Sequence, residues 1–383
     1  MLNPLASARS MTDATNIPTD LWKATLLANT STVGEAIRNL ENSQQQIVLV
    51  LADDGSLAGT ITDGDIRRGL LRGFDLGSQI GGLIQRNPLV VPPELGRESA
   101  LRIMQANDIR QIPVVNEQRM VVGLHTMKMN HAPTLKPNVM VIMAGGQGKR
   151  LRPFTESCPK PMLLVGGKPM LEHIIERAIS ENFRRFIIST HYLGHMIEDY
   201  FGNGSRFDID ISYLREDAPL GTAGALGLMD PRPELPILVT NGDVLSDISY
   251  GDLLEFHSRH KAMATMAVRV HEWQHPFGVV NIDGVDIVGF EEKPISRSHI
   301  NAGVYALMPE ALDAMVAGDY CDMPRLFALL QDKGERTIAY PMHEPWLDVG
   351  RADDLAHARA NFGSKSVQLT SPVGQPHRTK VIK

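Results

Sequence analysis

The sequence contains little of what several classes of protein depend on. Its 383 residues include two cysteines, Cys158 and Cys321, which lie far apart and lack the spacing of metal ligands. This argues against a disulfide framework and favours a reducing compartment. No apolar run approaches the roughly 18 residues of a membrane span, and residues 1–18 lack the apolar core of a secretory signal. We therefore expect a cytoplasmic protein that does not bind membranes.

The chain also lacks an excess of positive charge. Its formal net charge of -6 gives no general attraction to nucleic acid, so an anion site must come from locally clustered cations. We expect no nucleic-acid partner. Because 383 residues exceed one ordinary core, and 43% of them are hydrophobic, the length predicts two globular domains.

A weak internal repeat occupies the first third of the chain. Each copy has a helix-like stretch and two short strands: Thr32–Leu40, Gln46–Val50 and Leu57–Thr62 in the first, and Glu98–Ala106, Gln111–Val115 and Val121–Thr126 in the second. The pattern predicts two copies of a small α/β unit.

A segment with prolines and little periodicity, residues 131–137, is typical of a linker. Beyond it, apolar strands alternate with helical stretches, which predicts a doubly wound mixed sheet. The predicted fold class is α/β. Its divisions are an N-terminal tail at 1–19, a smaller α/β domain at 20–130, the linker, the larger sheet domain at 138–362, and a C-terminal tail at 363–383.

A glycine-rich basic loop, MAGGQGKRLRPFTESCPKPM from Met143 to Met162, follows the first strand of the larger domain. Ligands of such sheets bind at the carboxyl ends of strands, so a site is expected there. The loop is not a P-loop, because Arg150 stands where the magnesium-binding hydroxyl should be. It fits a dinucleotide fingerprint poorly, because Leu151 replaces the last glycine and Pro153 prevents an immediate helix. A glycine turn on a basic surface is the remaining alternative.

The loop resembles the nucleotide-binding motif of the sugar-1-phosphate nucleotidylyltransferases. Further motifs follow in that family's order: Leu220–Gly224, Asn241–Asp243, Phe277–Val279, Glu291–Pro294, Ile300–Gly303 and Trp346–Gly350. The resemblance implies a Rossmann-like sheet of the nucleotidyltransferase A type. It also implies an enzyme that forms an NDP-sugar and pyrophosphate from a nucleoside triphosphate and a hexose 1-phosphate.

The resemblance also implies roles for particular residues. The nucleotide would be bound by Ala144, Gly145, Gly146, Gly148, Gly221, Thr222 and Gly242, because glycines let backbone N–H groups approach phosphates. The catalytic set would be Arg150, Lys160, Asp243 and Lys293, and the sugar would contact Gly278, Glu292 and Asn301. Asp243 and Asp348 would hold Mg²⁺, which prefers a few carboxylates together with phosphate oxygens.

The repeated units resemble a tandem pair of cystathionine-β-synthase-type (CBS) domains. The first copy has that family's ribose-contacting pair, Thr62 and Asp65, whereas the second has Thr126 with Met129 in place of the aspartate. Since methionine cannot accept hydrogen bonds from ribose hydroxyls, only the first half-site is expected to bind a regulatory nucleotide. A CBS pair that serves only for dimerisation is the alternative.

Among relatives, the motifs look most like mannose-1-phosphate guanylyltransferases. We expect GTP with mannose 1-phosphate or glucosamine 1-phosphate, and a homo-oligomer. One alternative is a uridylyl- or thymidylyltransferase on a hexose 1-phosphate, and another is an inactive, nucleotide-sensing regulatory subunit. Retention of the four catalytic residues favours activity.

Overall fold

A computed structural model describes residues 21–127 and 135–361 of the chain. The chain divides into two compact units, residues 1–130 and 131–383. No helix within the described ranges is long and apolar enough to cross a membrane. The two predicted tails, Met129 and most of the predicted linker lie outside the described residues.

The first unit contains the two predicted copies. Its elements are β1 Leu26–Ala28, α1 Val33–Ser43, β2 Ile47–Leu51, β3 Leu57–Thr62, α2 Asp63–Leu71, α3 Arg97–Ala106, β4 Gln111–Val115 and β5 Val121–Thr126. Strands β2 and β3 pair antiparallel, as do β4 and β5. Helix α1 begins at Val33 because Thr32 and Glu35 form a capping box. The repeat predicted from periodicity is therefore present in the fold.

The second unit is larger. Its helices are α4 Met170–Ser180, α5 Gly194–Phe201, α6 Gly221–Gly224, α7 Tyr250–His260, α8 Met323–Asp332 and α9 Ala352–Asn361. Its strands are β6 Lys136–Met143, β7 Leu164–Val165, β8 Lys168–Pro169, β9 Phe183–Thr190, β10 Asp210–Arg215, β11 Ile237–Asn241, β12 Val244–Ser246, β13 Ala264–Gln274, β14 Val279–Asp283, β15 Asp286–Glu291, β16 Ile295–Leu307, β17 Thr337–Met342 and β18 Trp346–Asp348.

A seven-stranded sheet in the order β10-β9-β6-β11-β16-β13-β17 forms the core of this unit. Strands β6, β9, β10 and β11 run parallel, while β16 is antiparallel to both its neighbours. Side chains alternate along β6, so Met140 and Ile142 join one buried cluster and Val141 and Met143 the other. Helices cover both faces, which confirms the doubly wound mixed sheet.

The order of the strands places a ligand site. The chain proceeds from β6 to β9 and β10 on one side, and then crosses to β11 on the other side of β6. In open α/β sheets, ligands bind at the carboxyl ends of strands where the direction of winding reverses. The glycine loop after β6 and Asp243 after β11 therefore meet at the same point.

A long β-ladder projects from the other half of the sheet. Strands β13 and β16 stay paired out to Gln274 and Ile295, and the His275 N–H then donates to the Pro294 carbonyl at 2.9 Å. Beyond this bond, β14 and β15 pair only with each other as a hairpin. We name residues 271–299 the β-arm. None of its residues is buried.

Candidate active site

The glycine loop is shaped by one left-handed residue. Gly148 has a φ of 59°, and a Cβ there would lie 2.9 Å from Thr155 Cγ2 and 3.1 Å from Lys160 Cβ. The Thr155 hydroxyl donates to the Gly148 carbonyl at 2.9 Å. Glycine is therefore needed for the loop to fold back against Thr155 and Lys160.

A cavity of about 320 Å³ opens at the carboxyl ends of β6 and β11, which is within the size range of ligand pockets. Residues expected to bind nucleotide or to act in catalysis line it: Ala144, Gly145, Gly146, Lys160, Gly221, Thr222, Gly242 and Asp243. Two strands are tied together here, because the Gly242 N–H donates to the Met143 carbonyl at 2.9 Å. Gly148 and Arg150 do not line the cavity.

A buried lysine pairs with a carboxylate in the cavity wall. The Lys160 side chain is 10% exposed and forms an ion pair with Asp243, which is 26% exposed. Desolvating an ammonium is costly unless it is paired. The geometry therefore fixes Lys160 beside the point where an anionic ligand would enter.

Asp348 lies next to this pair. Strand β18 pairs with β12 so that Asp348 lies opposite Val244, and the Val349 N–H donates to the Asp243 carbonyl at 3.1 Å. Burial, with the charge of Asp243, raises the pKa of Asp348, and the cations of Lys160 and Arg150 partly offset this rise. Two carboxylates and two cations thus share one partly buried region.

The donor set fits a hard divalent cation. Asp243 and Asp348 provide carboxylate oxygens, and in residues 21–127 and 135–361 no cluster of three or more His, Cys, Asp or Glu ligands forms. Magnesium commonly uses one or two carboxylates and takes its other ligands from water and substrate phosphates. A cation held by these two aspartates would therefore be completed by the substrate.

Arg150 approaches the same region from the surface. It lies in the short 3-10 turn Lys149–Leu151 and is exposed. One of its guanidinium nitrogens is 3.8 Å from the point that a Cβ on Gly350 would occupy. Arg150 therefore faces the segment after Asp348.

Glu216, which sequence reasoning missed, is a buried carboxylate in the cavity wall. It accepts hydrogen bonds from the Ser189 hydroxyl and, at 2.9 Å, from the Leu220 N–H. A Cβ on Gly145 would lie 2.5 Å from its Oε1 atom, so Gly145 is required beside it. Its position directly after the parallel strand β10 was the available signal.

The turn at Gly221 is held by the backbone of Cys321. The Ala223 and Gly224 N–H groups both donate to the Cys321 carbonyl at 2.9 Å. Gly221 has a φ of 83°, and a Cβ there would be 2.5 Å from that oxygen. The Thr222 hydroxyl accepts a 2.9 Å bond from the Met323 N–H at the start of α8. The neighbouring Tyr320, also missed from sequence, lines the cavity.

The expected sugar-side residues are not brought into this cavity. Gly278, Glu292 and Lys293 lie on the β-arm, are exposed, and do not line it. Gly278 and Glu292 are neighbours, since a Cβ on Gly278 would be 3.1 Å from Glu292 Oε2. Asn301 lies on β16, where its amide donates to the Tyr305 hydroxyl at 2.8 Å and accepts from the Gly303 N–H at 2.9 Å.

In the first unit, Thr62 and Asp65 form a capping box at the start of α2. Asp65 accepts from the Thr62 N–H at 2.8 Å and from its hydroxyl at 2.6 Å, and pairs with Arg68 at 2.5 Å. These contacts give both residues a structural role. They also leave acceptor positions on the carboxylate.

Comparison with known proteins decides the family. The sequence profile named Nucleotidyl transferase matches residues 139–365, more than half of the chain. The chain belongs to the nucleotidyl transferase family. The CBS domain profile matches residues 23–72 and 80–127 of this nucleotidyl transferase. Both resemblances seen in the sequence are confirmed.

Curated relatives carry related names. A mannose-1-phosphate guanylyltransferase of Mycobacterium tuberculosis is 36% identical over 231 residues, with 58% of this chain and 64% of that protein covered. A mannose-1-phosphate guanyltransferase of Yarrowia lipolytica is 30% identical over 251 residues, covering 62% and 69%. A UTP–glucose-1-phosphate uridylyltransferase of Synechocystis is 30% identical over 248 residues, covering 60% and 64%. The match thus spans 64 to 69% of these relatives' lengths.

Proposed function

We propose that this nucleotidyl transferase forms an NDP-sugar and pyrophosphate from a nucleoside triphosphate and a hexose 1-phosphate. The observation that carries the proposal is the cavity at the winding reversal, where the glycine loop faces the paired Lys160 and Asp243. Backbone N–H groups and a buried cation suit a triphosphate. We place the reaction in the cytoplasm.

In this reaction a phosphate oxygen of the sugar phosphate attacks the α-phosphorus in line, and the bond to the β-phosphate oxygen breaks. The nucleophile is already ionised at neutral pH, so positioning and charge neutralisation supply most of the acceleration. Lys160 and Arg150 bind the triphosphate, and Lys293 binds the sugar phosphate. Asp243 and Asp348 would hold Mg²⁺, which would supply neutralisation of charge on the phosphates.

Guanine is the proposed base. Glu216 lines the cavity, and each of its oxygens accepts one bond and has capacity for another. The N1–H and N2–H groups of guanine can donate together to one carboxylate, whereas uracil and thymine offer a single N–H between two carbonyl oxygens. Two of the relatives above are named for guanylyl transfer. Mannose 1-phosphate or glucosamine 1-phosphate is the proposed acceptor.

The test is a pyrophosphate-release assay of each nucleoside triphosphate against a panel of hexose 1-phosphates, with and without Mg²⁺. We expect GTP with mannose 1-phosphate or glucosamine 1-phosphate to give the highest kcat/KM, and chelation to stop the reaction. Preference for UTP or dTTP would overturn the assignment of the base. Nucleotide binding without turnover of any pair would instead identify a regulatory subunit.

For the first unit, we propose that the half-site at Thr62 and Asp65 binds a nucleotide and changes turnover. A ligand can do this only if it binds two states of the protein with different affinities. Titration calorimetry of the full chain with adenine and guanine nucleotides, compared with Asp65→Ala, tests the site. Kinetics with and without the bound nucleotide test the coupling. If no nucleotide binds the half-site, a dimerisation role for the CBS pair is favoured, and binding that Asp65→Ala leaves unchanged would show that the nucleotide binds elsewhere in the chain.

A further inference from the structure

The hairpin at the end of the β-arm has one apolar and one polar face. The register pairs Val280 with Phe290 and Ile282 with Ile287, and residues opposite each other in a ladder share a face. We name these four side chains the apolar hairpin face. The opposite face carries the polar residues Asn281, Asp283, Asp286 and Glu291 together with Val279 and Gly289, and the register shifts between Asn281 and Ile282.

The apolar hairpin face has nothing packed on it in the described chain. Val280, Ile282, Ile287 and Phe290 are 47, 67, 60 and 75% exposed. Apolar side chains gathered on one face, with most of the polar side chains on the other, are the pattern of an antiparallel sheet with one buried face. A two-stranded hairpin alone is marginally stable in water, so it normally gains stability from packing. We therefore expect another surface to pack against this face.

The size of the face indicates what kind of partner fits. Val285, in the turn of the hairpin, and Val288, within β15, are 95 and 64% exposed. With them the apolar surface is on the order of 600 Å², at the upper end of the largest patches on monomeric proteins. Two such faces would bury about 1,200 Å², which reaches the range of specific, stable interfaces.

We propose that the apolar hairpin face packs against the same face of a second copy of this chain. The face carries no charge, so two copies can meet without desolvating an ion. Contact between identical patches about a two-fold axis also closes the assembly as a dimer. The charged opposite faces then remain in water.

This pairing would also order one side of the candidate active site. Gly278 directly precedes β14, and Glu292 and Lys293 directly follow β15, so the two ends of the hairpin carry the proposed sugar-side residues. Fixing the hairpin reduces the freedom of those residues. This part of the inference rests on the proposed function, whereas the pairing itself does not.

Sedimentation of the full chain over a hundredfold range of protein concentration tests the pairing. Two variants introduce the same lysine on adjacent residues of opposite faces, Ile287→Lys on the apolar face and Asp286→Lys on the polar face. We expect wild type and Asp286→Lys to share one mass and Ile287→Lys to have half of it. A monomeric wild type, or an unchanged mass for Ile287→Lys, would overturn the proposal.

A milder variant and a kinetic measurement complete the test. Ile287→Ser removes apolar area without adding charge, so it should raise the dissociation constant of the dimer by about tenfold or more. An unchanged dissociation constant contradicts the proposal even if Ile287→Lys does not fold. In the pyrophosphate assay, dissociated protein should show a higher KM for the hexose 1-phosphate with KM for GTP unchanged. If no substrate pair reacts, the proposed function fails while the mass measurement still decides the pairing.

Discussion

The two sides of the candidate active site are built in opposite ways. On the nucleotide side, Lys160 and Asp243 are paired in a cavity wall made by strand ends at the centre of the sheet. On the proposed sugar side, Gly278, Glu292 and Lys293 lie on the exposed β-arm. Preorganised charge is most valuable where charge develops in the reaction. Under the proposed function, the phosphate chemistry takes place at the buried centre of the sheet, and the choice of acceptor belongs to the exposed β-arm.

The largest effect should come from the rigid side. Asp243→Asn or Asp348→Asn removes a carboxylate proposed to hold Mg²⁺, so kcat should fall by about a hundredfold or more. The measurement is pyrophosphate release at saturating substrates, with circular dichroism as the control for folding. Near-normal turnover in a folded variant would reject that residue as a ligand and remove the distinction between the two sides.

Charge substitutions should separate the sides by substrate. Lys293→Ala should raise KM for the hexose 1-phosphate about tenfold to a hundredfold, because a hydrogen bond to a charged group is lost. Arg150→Ala should raise KM for the nucleotide by a similar factor. The measurement is a matrix of initial rates with each substrate varied in turn. Equal effects of either variant on both substrates would contradict the division.

Glycine substitutions probe how closely the nucleotide side is packed. Gly221→Ala forces a side chain into a left-handed turn and into the Cys321 carbonyl, so the free energy of unfolding should fall by about 1–3 kcal/mol. Gly146→Ala is the matched control, since nothing lies within 4 Å of its Cβ position, and it should leave that free energy unchanged. Urea titration measures both. Equal stability of the two variants would show a looser cavity wall.

The smallest effect concerns stability in magnesium-free buffer. Burial and Asp243 raise the pKa of Asp348, so the folded chain retains this proton at pH values where the unfolded chain has lost it. Protonated Asp348 therefore favours the folded state at acidic pH, and this contribution to the free energy of unfolding is lost as pH rises through the raised pKa of Asp348. Asp348→Asn should increase Tm at neutral pH by about 2 °C, with the gain shrinking on acidification. A lower Tm at neutral pH would mean that the charge is compensated in the folded protein.

Much of the rigid side could be predicted from the sequence because local chemistry determines it. The glycine motif identified Gly148, and Asp243 follows an apolar strand, so both were candidates from the sequence, whereas the left-handed φ of Gly148 came from the structure. Glu216 and Tyr320 were not predicted as site residues, because their inclusion depends on which distant segments meet around Gly221. The meeting of those segments is set by tertiary contacts, which the periodicity of the sequence does not encode.

On the proposed sugar side, the sequence predicted which residues are candidates, through their positions in the motifs, but not their surroundings. The sequence identifies Lys293 and Asn301 as candidates, but not the exposure of the first or the bonds of the second to Tyr305 and Gly303. In the first unit, the pattern at Thr62 and Asp65 matches a capping box as well as a ribose site. The same spacing satisfies both, so sequence alone cannot separate them.

The central position of β6 has a consequence for dissecting the chain. This strand is the first described element of the second unit, and it lies between β9 and β11 in the middle of the sheet. Its first residue, Lys136, already donates its N–H to the Asn182 carbonyl at 3.0 Å. A transferase fragment that begins after Lys136 would therefore shorten an interior strand, not a dispensable end. The same strand ends at the glycine loop, so trimming at the amino terminus would also loosen the loop that is proposed to bind the nucleotide.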